Sequence, residues 1–256
     1  MNRTYGILGI ALASLSILVP SLPVAASGLF SAPRIHVRET QSLNWSGYAV
    51  ETNLQNPANN AVTDVQGTWV VPTVTGPRKG SYYSADWVGI DGYSGPSVEQ
   101  IGTDSDWVNG RPSYYAWYEM YPQAGYLITG ITVRPGDTMS ANVSYSGNSF
   151  TLFIEDVTNG GTFTLTQQNT TAQRSSAEWV VEAPSSYSGR VLPLADFGTV
   201  TFSAASATIN GHTGNIGDTA WRNDPMIMVT QTGIVKAQPT ALSNGGTSFT
   251  VTWYHN

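Results

Sequence analysis

Apolar and polar residues alternate at period two along most of this chain, and turn signals interrupt the alternation at short intervals. Period two marks a strand with one face buried, because successive side chains leave a pleated backbone on opposite sides. The clearest instance is Ser176-Ala177-Glu178-Trp179-Val180-Val181-Glu182. Ala177, Trp179 and Val181 fall on one face, and Glu178, Val180 and Glu182 on the other. Residues 45–50, 65–71 and 82–90 read as strands in the same way. Further strands are expected near 97–103, 113–121, 126–134, 138–145, 149–157, 161–168, 177–183, 197–209, 226–235 and 247–254. Asp91-Gly92, Asn109-Gly110, Pro135-Gly136-Asp137, Asn159-Gly160-Gly161 and Asn244-Gly245-Gly246 supply the reversals between them. Beyond the first residues no apolar pattern of helical period persists, and no internal repeat is evident. Many short strands at this spacing predict an antiparallel sandwich or barrel, formed as a single domain over 43–256.

The first 42 residues break from this pattern. Arg3 precedes an uncharged apolar run over 7–19, Pro20 and Pro23 end it, and Val24-Ala25-Ala26 supplies small residues. Residues 1–26 therefore read as a secretory signal cut after Ala26, so a secreted, extracellular protein is expected. Residues 27–42 carry Pro33, Arg34, His36 and Arg38 without a clean strand period. They read as a flexible leader, an N-terminal arm or a short removable prosegment. As a prosegment, their positive charge would sit on an acidic cleft and loosen as carboxylates protonate.

Composition narrows the partners. Cysteine is absent, so no disulfide and no thiol chemistry contributes. Charged residues make up 11% of the chain, against about 25% in an average domain. Net charge is −6, and lysine occurs only at 79 and 236. Such a surface offers no basic patch for nucleic acid or for an anionic membrane. No other apolar run is long enough to span a bilayer, so a monomer without stable membrane association is expected.

The residue inventory also narrows the chemistry. His36 lies in the leader, His255 at the C-terminal end, and His212 in the loop Asn210-Gly211-His212-Thr213-Gly214. No Gly-x-Ser-x-Gly elbow is present to meet a histidine base, and no His/Cys cluster has metal-ligand spacing. No cofactor is expected; acids and bases must be carboxyls, helped by amides and hydroxyls. In Ser113-Tyr114-Tyr115-Ala116-Trp117-Tyr118-Glu119-Met120-Tyr121-Pro122, alternation groups Tyr115, Trp117, Glu119 and Tyr121 opposite Tyr114, Ala116, Tyr118 and Met120. One set can fill a core while the other lines a groove. Glu178, beside apolar neighbours, suits proton transfer if partly desolvated, although alternation alone favours a solvent-facing Glu on the wet side of a sheet.

Five segments in order resemble the glutamic peptidases, the eqolisins. They are Trp87-Val88-Gly89-Ile90-Asp91, Gln100-Ile101-Gly102-Thr103-Asp104, Ala116-Trp117-Tyr118-Glu119-Met120-Tyr121-Pro122, Ala177-Glu178-Trp179-Val180-Val181-Glu182, and Ala195-Asp196-Phe197-Gly198-Thr199-Val200-Thr201-Phe202. The resemblance implies an all-β antiparallel sandwich, concanavalin-like or jelly-roll in type, with a concave groove. It implies a secreted acid endopeptidase acting on protein or peptide substrates. The catalytic Gln–Glu dyad then falls on Gln100 and Glu178, with Trp87, Asp104, Trp117 and Glu119 in the substrate groove. The chain departs from the fungal pattern in lacking cysteines around the catalytic Gln and in carrying Tyr115 where an Asp is expected. Two other readings fit the residues: a glycoside hydrolase using Glu119 and Glu178, and a non-catalytic sugar-binding module using the aromatics.

Overall fold

The computed structural model describes residues 24–25, 29–38 and 40–256. Two antiparallel layers face one another. The front layer runs Arg222–Val229, Trp45–Glu51, Ser176–Glu182, Ala85–Ile90, Val98–Val108, Arg111–Tyr121 and Tyr126–Ile128. The back layer runs Gly161–Gln167, Ser149–Asp156, Thr138–Ser146, Val62–Val70, Thr199–Ile209, Phe249–Trp253 and Val235–Pro239. Arg222–Val229 joins both layers, pairing with the front through Met226 and with the back from Met228. Among the described residues the helical content is one 3-10 turn, Asn244–Gly246, and no helix is long and apolar enough to cross a membrane. The fold is the expected antiparallel β-sandwich.

The alternation seen in the sequence sorts side chains between two apolar clusters. Ala177, Trp179 and Val181 enter the core between the layers with Trp69, Phe202 and Phe249. Trp179 locks the layers together by donating its indole N–H to Gln66 O at 2.7 Å. Gly67 makes room for that ring: a Cβ there would lie 2.7 Å from Trp179 Cδ1. The other face of the front layer carries its own cluster of Trp45, Trp87, Trp117, Val180 and Met226, flanked by Tyr115 and Tyr121. Ala116, Tyr118 and Met120 point the opposite way, into the main core. Both faces of the front layer are therefore covered, and every residue of Ser176–Glu182 is buried.

Three segments differ from the sequence expectation. The strand expected at 126–134 ends at Ile128. The one at 226–235 is cut by a turn in which Gly233, at φ 86°, lets Thr230 N–H reach Ile234 O. The leader, read as lacking strand character, forms short paired strands among its described residues. Leu29–Phe30 adds to Ser185–Ser186, His36–Arg38 pairs with Gln41–Ser42, and Gln41–Ser42 runs parallel to Ile227–Met228. The expected signal lies outside the described residues, except that Val24–Ala25 pairs with Tyr126 and Leu127.

Candidate active site

Strand register places the chemistry-bearing residues in rows across the front layer. One row runs Asp224, Ala49, Glu178, Gly89, Gln100, Glu119. The next runs Met226, Gly47, Val180, Trp87, Gly102, Trp117, and the third runs Trp45, Glu182, Ala85, Asp104, Tyr115. Directly opposed residues in antiparallel strands project to the same side, so all three rows share the face of the front layer that is turned away from the main core. The glycines are required by this packing. A Cβ on Gly102 would lie 2.5 Å from Trp87 Cβ, and one on Gly89 would lie 3.0 Å from Trp87 Cζ3.

The leader crosses these rows. Gln100 Nε2 donates to Ser31 O at 2.7 Å and to Glu119 Oε2 at 3.1 Å. Ser31 N–H donates to the same Glu119 oxygen at 3.0 Å. The next amide, Ala32 N–H, donates to Glu182 Oε1 at 3.0 Å. Ser31 O and Ala32 N belong to one peptide bond, which is thus gripped at its carbonyl by Gln100 and at its nitrogen by Glu182. Beyond it, Ala32 O accepts from Trp45 Nε1 at 3.0 Å and from Asn44 Nδ2 at 3.2 Å, and Asn44 Nδ2 also reaches Pro33 O. Glu182 is itself fixed by Trp87 Nε1, which donates to Oε2 at 3.0 Å. Trp45 packs edge-on to Trp87, with ring centroids 4.9 Å apart.

Of the residues singled out in the sequence, Gln100, Glu119, Trp87 and Trp117 meet on this surface, with Asp104 in the Glu182 row. Glu178 does not join Gln100. The edge of the Trp87 indole lies over Gly89, the residue separating the two in register. Neither Glu178 carboxylate oxygen has a hydrogen-bond partner among the described residues, and Ser176 Oγ stands nearby outside hydrogen-bonding geometry. Glu182 lies on the same face of the same strand and reaches the leader's peptide. Period two weighs these two residues equally, and only the third dimension separates them. Asn44 and Trp45 were not anticipated either. The Asn44-Trp45-Ser46 triplet reads as a glycosylation acceptor, yet Asn44 is fully buried with its amide engaged.

Burial dominates the electrostatics. Glu182 is raised well above the ordinary carboxylate range by burial and then by the Glu119 charge, against which Trp87, Asn44 and Ala32 donate. Glu119 is raised chiefly by burial as well, with Ser31 N–H opposing. Asp104 is pushed up to about 7 by burial, and the Tyr115 hydroxyl, 2.7 Å from its Oδ2, pulls the other way. That hydroxyl also lies 3.0 Å from Asp106 Oδ2, so Tyr115 bridges two carboxyls. Behind Gly89, Glu178 forms a second acidic group with Asp91, Glu51 and Glu99, and is raised first by burial. Asp91, at φ 71°, accepts from Arg174 N at 2.6 Å and Ser175 N at 2.8 Å, which pins the start of the Glu178 strand. His212 sits apart, paired with Asp218 at 3.0 Å on the back layer. Among the described residues no group of three or more His, Cys, Asp or Glu is arranged to hold a metal ion.

A buried amide and a buried carboxyl on the two ends of one peptide bond are the parts a peptide hydrolase needs. Residues 43–253 match the Peptidase A4 family. The chain belongs to that family, the eqolisins or glutamic peptidases. It is 31% identical over 239 residues to aspergillopepsin-2 of Aspergillus niger, covering 84% of this chain and 79% of that protein. It is 27% identical over 206 residues to scytalidopepsin B of Scytalidium lignicola, covering 75% of each. Among solved structures, the A. niger aspergilloglutamic peptidase superposes with TM-score 0.59 at 34% identity, over 68% of this chain and 99% of that one. A scytalido-glutamic peptidase crystallised with a transition-state-analogue inhibitor superposes with TM-score 0.69 at 23% identity, over 82% of this chain and 98% of that one, and so shares the fold. The chain is therefore a glutamic peptidase, a peptide-bond hydrolase, and the glycosidase and sugar-binding readings fall away.

Proposed function

We propose that this glutamic peptidase is a secreted acid endopeptidase in which Gln100 and Glu182 act on either end of the scissile peptide bond. The observation that carries this reading is the Ser31–Ala32 peptide, whose carbonyl accepts from Gln100 Nε2 at 2.7 Å and whose N–H meets Glu182 Oε1 at 3.0 Å. With a substrate in that place, Glu182 as carboxylate takes a proton from a water that attacks the carbonyl carbon. Negative charge develops on the oxygen held by Gln100, whose amide N–H stabilises it as an oxyanion-hole donor. Glu182 then returns the proton to the departing nitrogen, and the C–N bond breaks.

Glu119 serves this dyad in two ways. Its Oε2 takes one Gln100 N–H, which fixes the amide flip so that the other N–H faces the oxyanion. The same oxygen accepts the backbone N–H of the residue that supplies the scissile carbonyl, as Ser31 shows. Asn44 and Trp45 hold the next carbonyl along. These contacts are all to main chain, so an extended protein or peptide substrate of varied sequence fits. Gln100 never ionises, so it adds no charge that would raise Glu182 beyond what burial and Glu119 already do. Export through the N-terminal signal, and action as a monomer, complete the proposal.

Digestion of a denatured protein across about pH 2 to 7 by wild type, Glu182→Gln and Glu178→Gln tests the assignment. Glu182→Gln should abolish turnover and Glu178→Gln should retain it. A Glu182→Gln enzyme that still digests protein would overturn the assignment of the base.

A further inference from the structure

We infer that Asp224 and Tyr93 form a subsite for a basic side chain, arginine above lysine, on the third substrate residue beyond the bond that is cut. The count rests on the assignment of Gln100 and Glu182 above, which sets the scissile bond where the Ser31–Ala32 peptide lies. A side-chain preference is thereby added to a groove in which Asn44, Trp45, Glu119 and the dyad meet only main chain.

Backbone contacts fix the register. With Ala32 as the first residue past the gripped bond, Arg34 is the third. Ala32 O is taken by Trp45 Nε1, and Pro33 O accepts from Asn44 Nδ2 at 3.2 Å. Arg34 N–H donates to Gly92 O at 3.0 Å, and Ile35 N–H donates to Asn44 Oδ1 at 2.8 Å. A peptide held at successive residues in this way has little freedom to slip. Its third side chain enters a cleft of about 910 Å³ whose lining includes Gln55, Tyr93, Gly95, Asn223 and Asp224.

The groups that meet this side chain belong to the sandwich and hold one another in place. Tyr93 O–H donates to Asp224 Oδ2 at 2.7 Å, and the Tyr93 ring packs against the cluster of Trp45 and Trp87. Asp224 is buried, on the strand Arg222–Val229 opposite Ala49. Against this pair Arg34 sets Nη2 3.5 Å from Asp224 Oδ2 and its guanidinium 4.4 Å over the Tyr93 ring. Nη2 also reaches Arg38 O and Gln41 O at 3.4 Å, contacts within the leader that a separate peptide would lack. Glu51, fully buried and on the same face of its strand as Ala49, adds a second carboxyl. Burial raises its proton affinity, and the Arg34 charge lowers it. A guanidinium suits this geometry better than an ammonium, because its plane can lie on a ring while its N–H edge meets a carboxylate. An acidic side chain in the same place would meet Asp224 as a like charge.

The test is a competition among synthetic peptides. One parent peptide that wild type cuts at a single bond is remade with Arg, Lys, Ala or Glu as the third residue beyond that bond. The full chain, as wild type, Asp224→Asn and Tyr93→Leu, digests the mixture at about pH 4, with products followed and cut bonds located by mass spectrometry. Within one reaction the initial rates stand in the ratio of kcat/KM, so a variant that also loosens the leader does not distort the reading. Wild type should cut the Arg peptide about tenfold faster than the Ala peptide, with Lys between them and Glu slowest. Asp224→Asn should lose most of the Arg preference over Ala, and Tyr93→Leu should close the gap between Arg and Lys. Equal rates for Arg and Ala in wild type, or an Arg preference unchanged in Asp224→Asn, would overturn the inference and leave the peptidase assignment standing. A Glu182→Gln enzyme that cuts these peptides would instead remove the assignment from which the third residue is counted.

Discussion

The indole N–H of Trp87 donates to Glu182 Oε2 at 3.0 Å, while the far edge of the same ring lies over Gly89. One side chain thus aims the carboxyl that faces the leader's peptide and screens the carboxyl, Glu178, that does not. Trp87→Phe should keep the packing and lose the donor. A hydrogen bond to a charged group is worth about 1.5–3 kcal/mol, so kcat should fall roughly tenfold to a hundredfold with KM little changed. The pH profile of kcat should shift upward at the limb set by Glu182, since a donor that favours the carboxylate is gone. An unchanged profile would mean that Trp87 only packs.

Gln100 carries the developing charge in this reading, and its removal should be felt in the transition state more than in binding. Gln100→Ala should cost on the order of 10²–10³ in kcat, the usual loss for one oxyanion donor. Gln100→Glu is the sharper test. It keeps the size but puts a third carboxyl beside Glu119 and Glu182, where the Glu119 charge already raises the proton affinity of Glu182. The added charge raises the proton affinity of Glu182 further, so the limb of kcat/KM against pH set by this base should move to higher pH than in wild type.

The sandwich was readable in the sequence because its strands alternate strictly, and the same alternation sorted Trp117 and Glu119 from Ala116 and Tyr118. Gln100 was reached through a family resemblance, since a Gln in a strand carries no chemical signal of its own. Period two could not choose between Glu178 and Glu182, which lie two repeats of the pleat apart on one face with Val180 between them. Their difference comes from a ring on the neighbouring strand, a non-local contact that no local pattern encodes. The leader escaped for a related reason. Its order comes from Asn44, Gln100, Glu119 and Glu182 binding its backbone, and backbone groups are the same in any sequence.

Packing behind the site should be as demanding as the site itself. Gly67 has no room for a side chain: an added Cβ would lie 2.7 Å from Trp179 Cδ1 and 3.1 Å from Val88 Cγ1. Trp179 is fully buried and cannot swing away without breaking its bond to Gln66 O. Gly67→Ala should therefore destabilise by about 1–3 kcal/mol, the usual cost of overpacking. For a protein of this size that is a drop of several degrees in melting temperature, at roughly 2–4 °C per kcal/mol. Thermal melts in acid, compared with wild type, would show it, and an unchanged midpoint would mean the layers are not close-packed at Trp179.

Stability should fall as pH rises, because the buried carboxyls behind Gly89 hold their protons more tightly in the folded chain. Burial lifts Glu51 from 4.5 to about 7 and Glu99 to about 9, and Glu178 is raised as well. A group whose folded pKa exceeds its unfolded one contributes fully below the unfolded value and loses that contribution as pH climbs to the folded one. The loss therefore begins near the ordinary carboxylate value of 4.5 and continues through about 7 and about 9. Lys236, lowered to about 8 by burial, opposes this only at the alkaline end. Glu178→Gln replaces a carboxyl that must stay protonated with an amide that needs no proton. It should change the melting temperature little at about pH 4 and raise it relative to wild type near neutrality, with peptidase activity kept. Urea titrations of both proteins at several pH values would measure the slope directly. A wild type equally stable in acid and at neutral pH would show that these carboxyls ionise in the fold without cost.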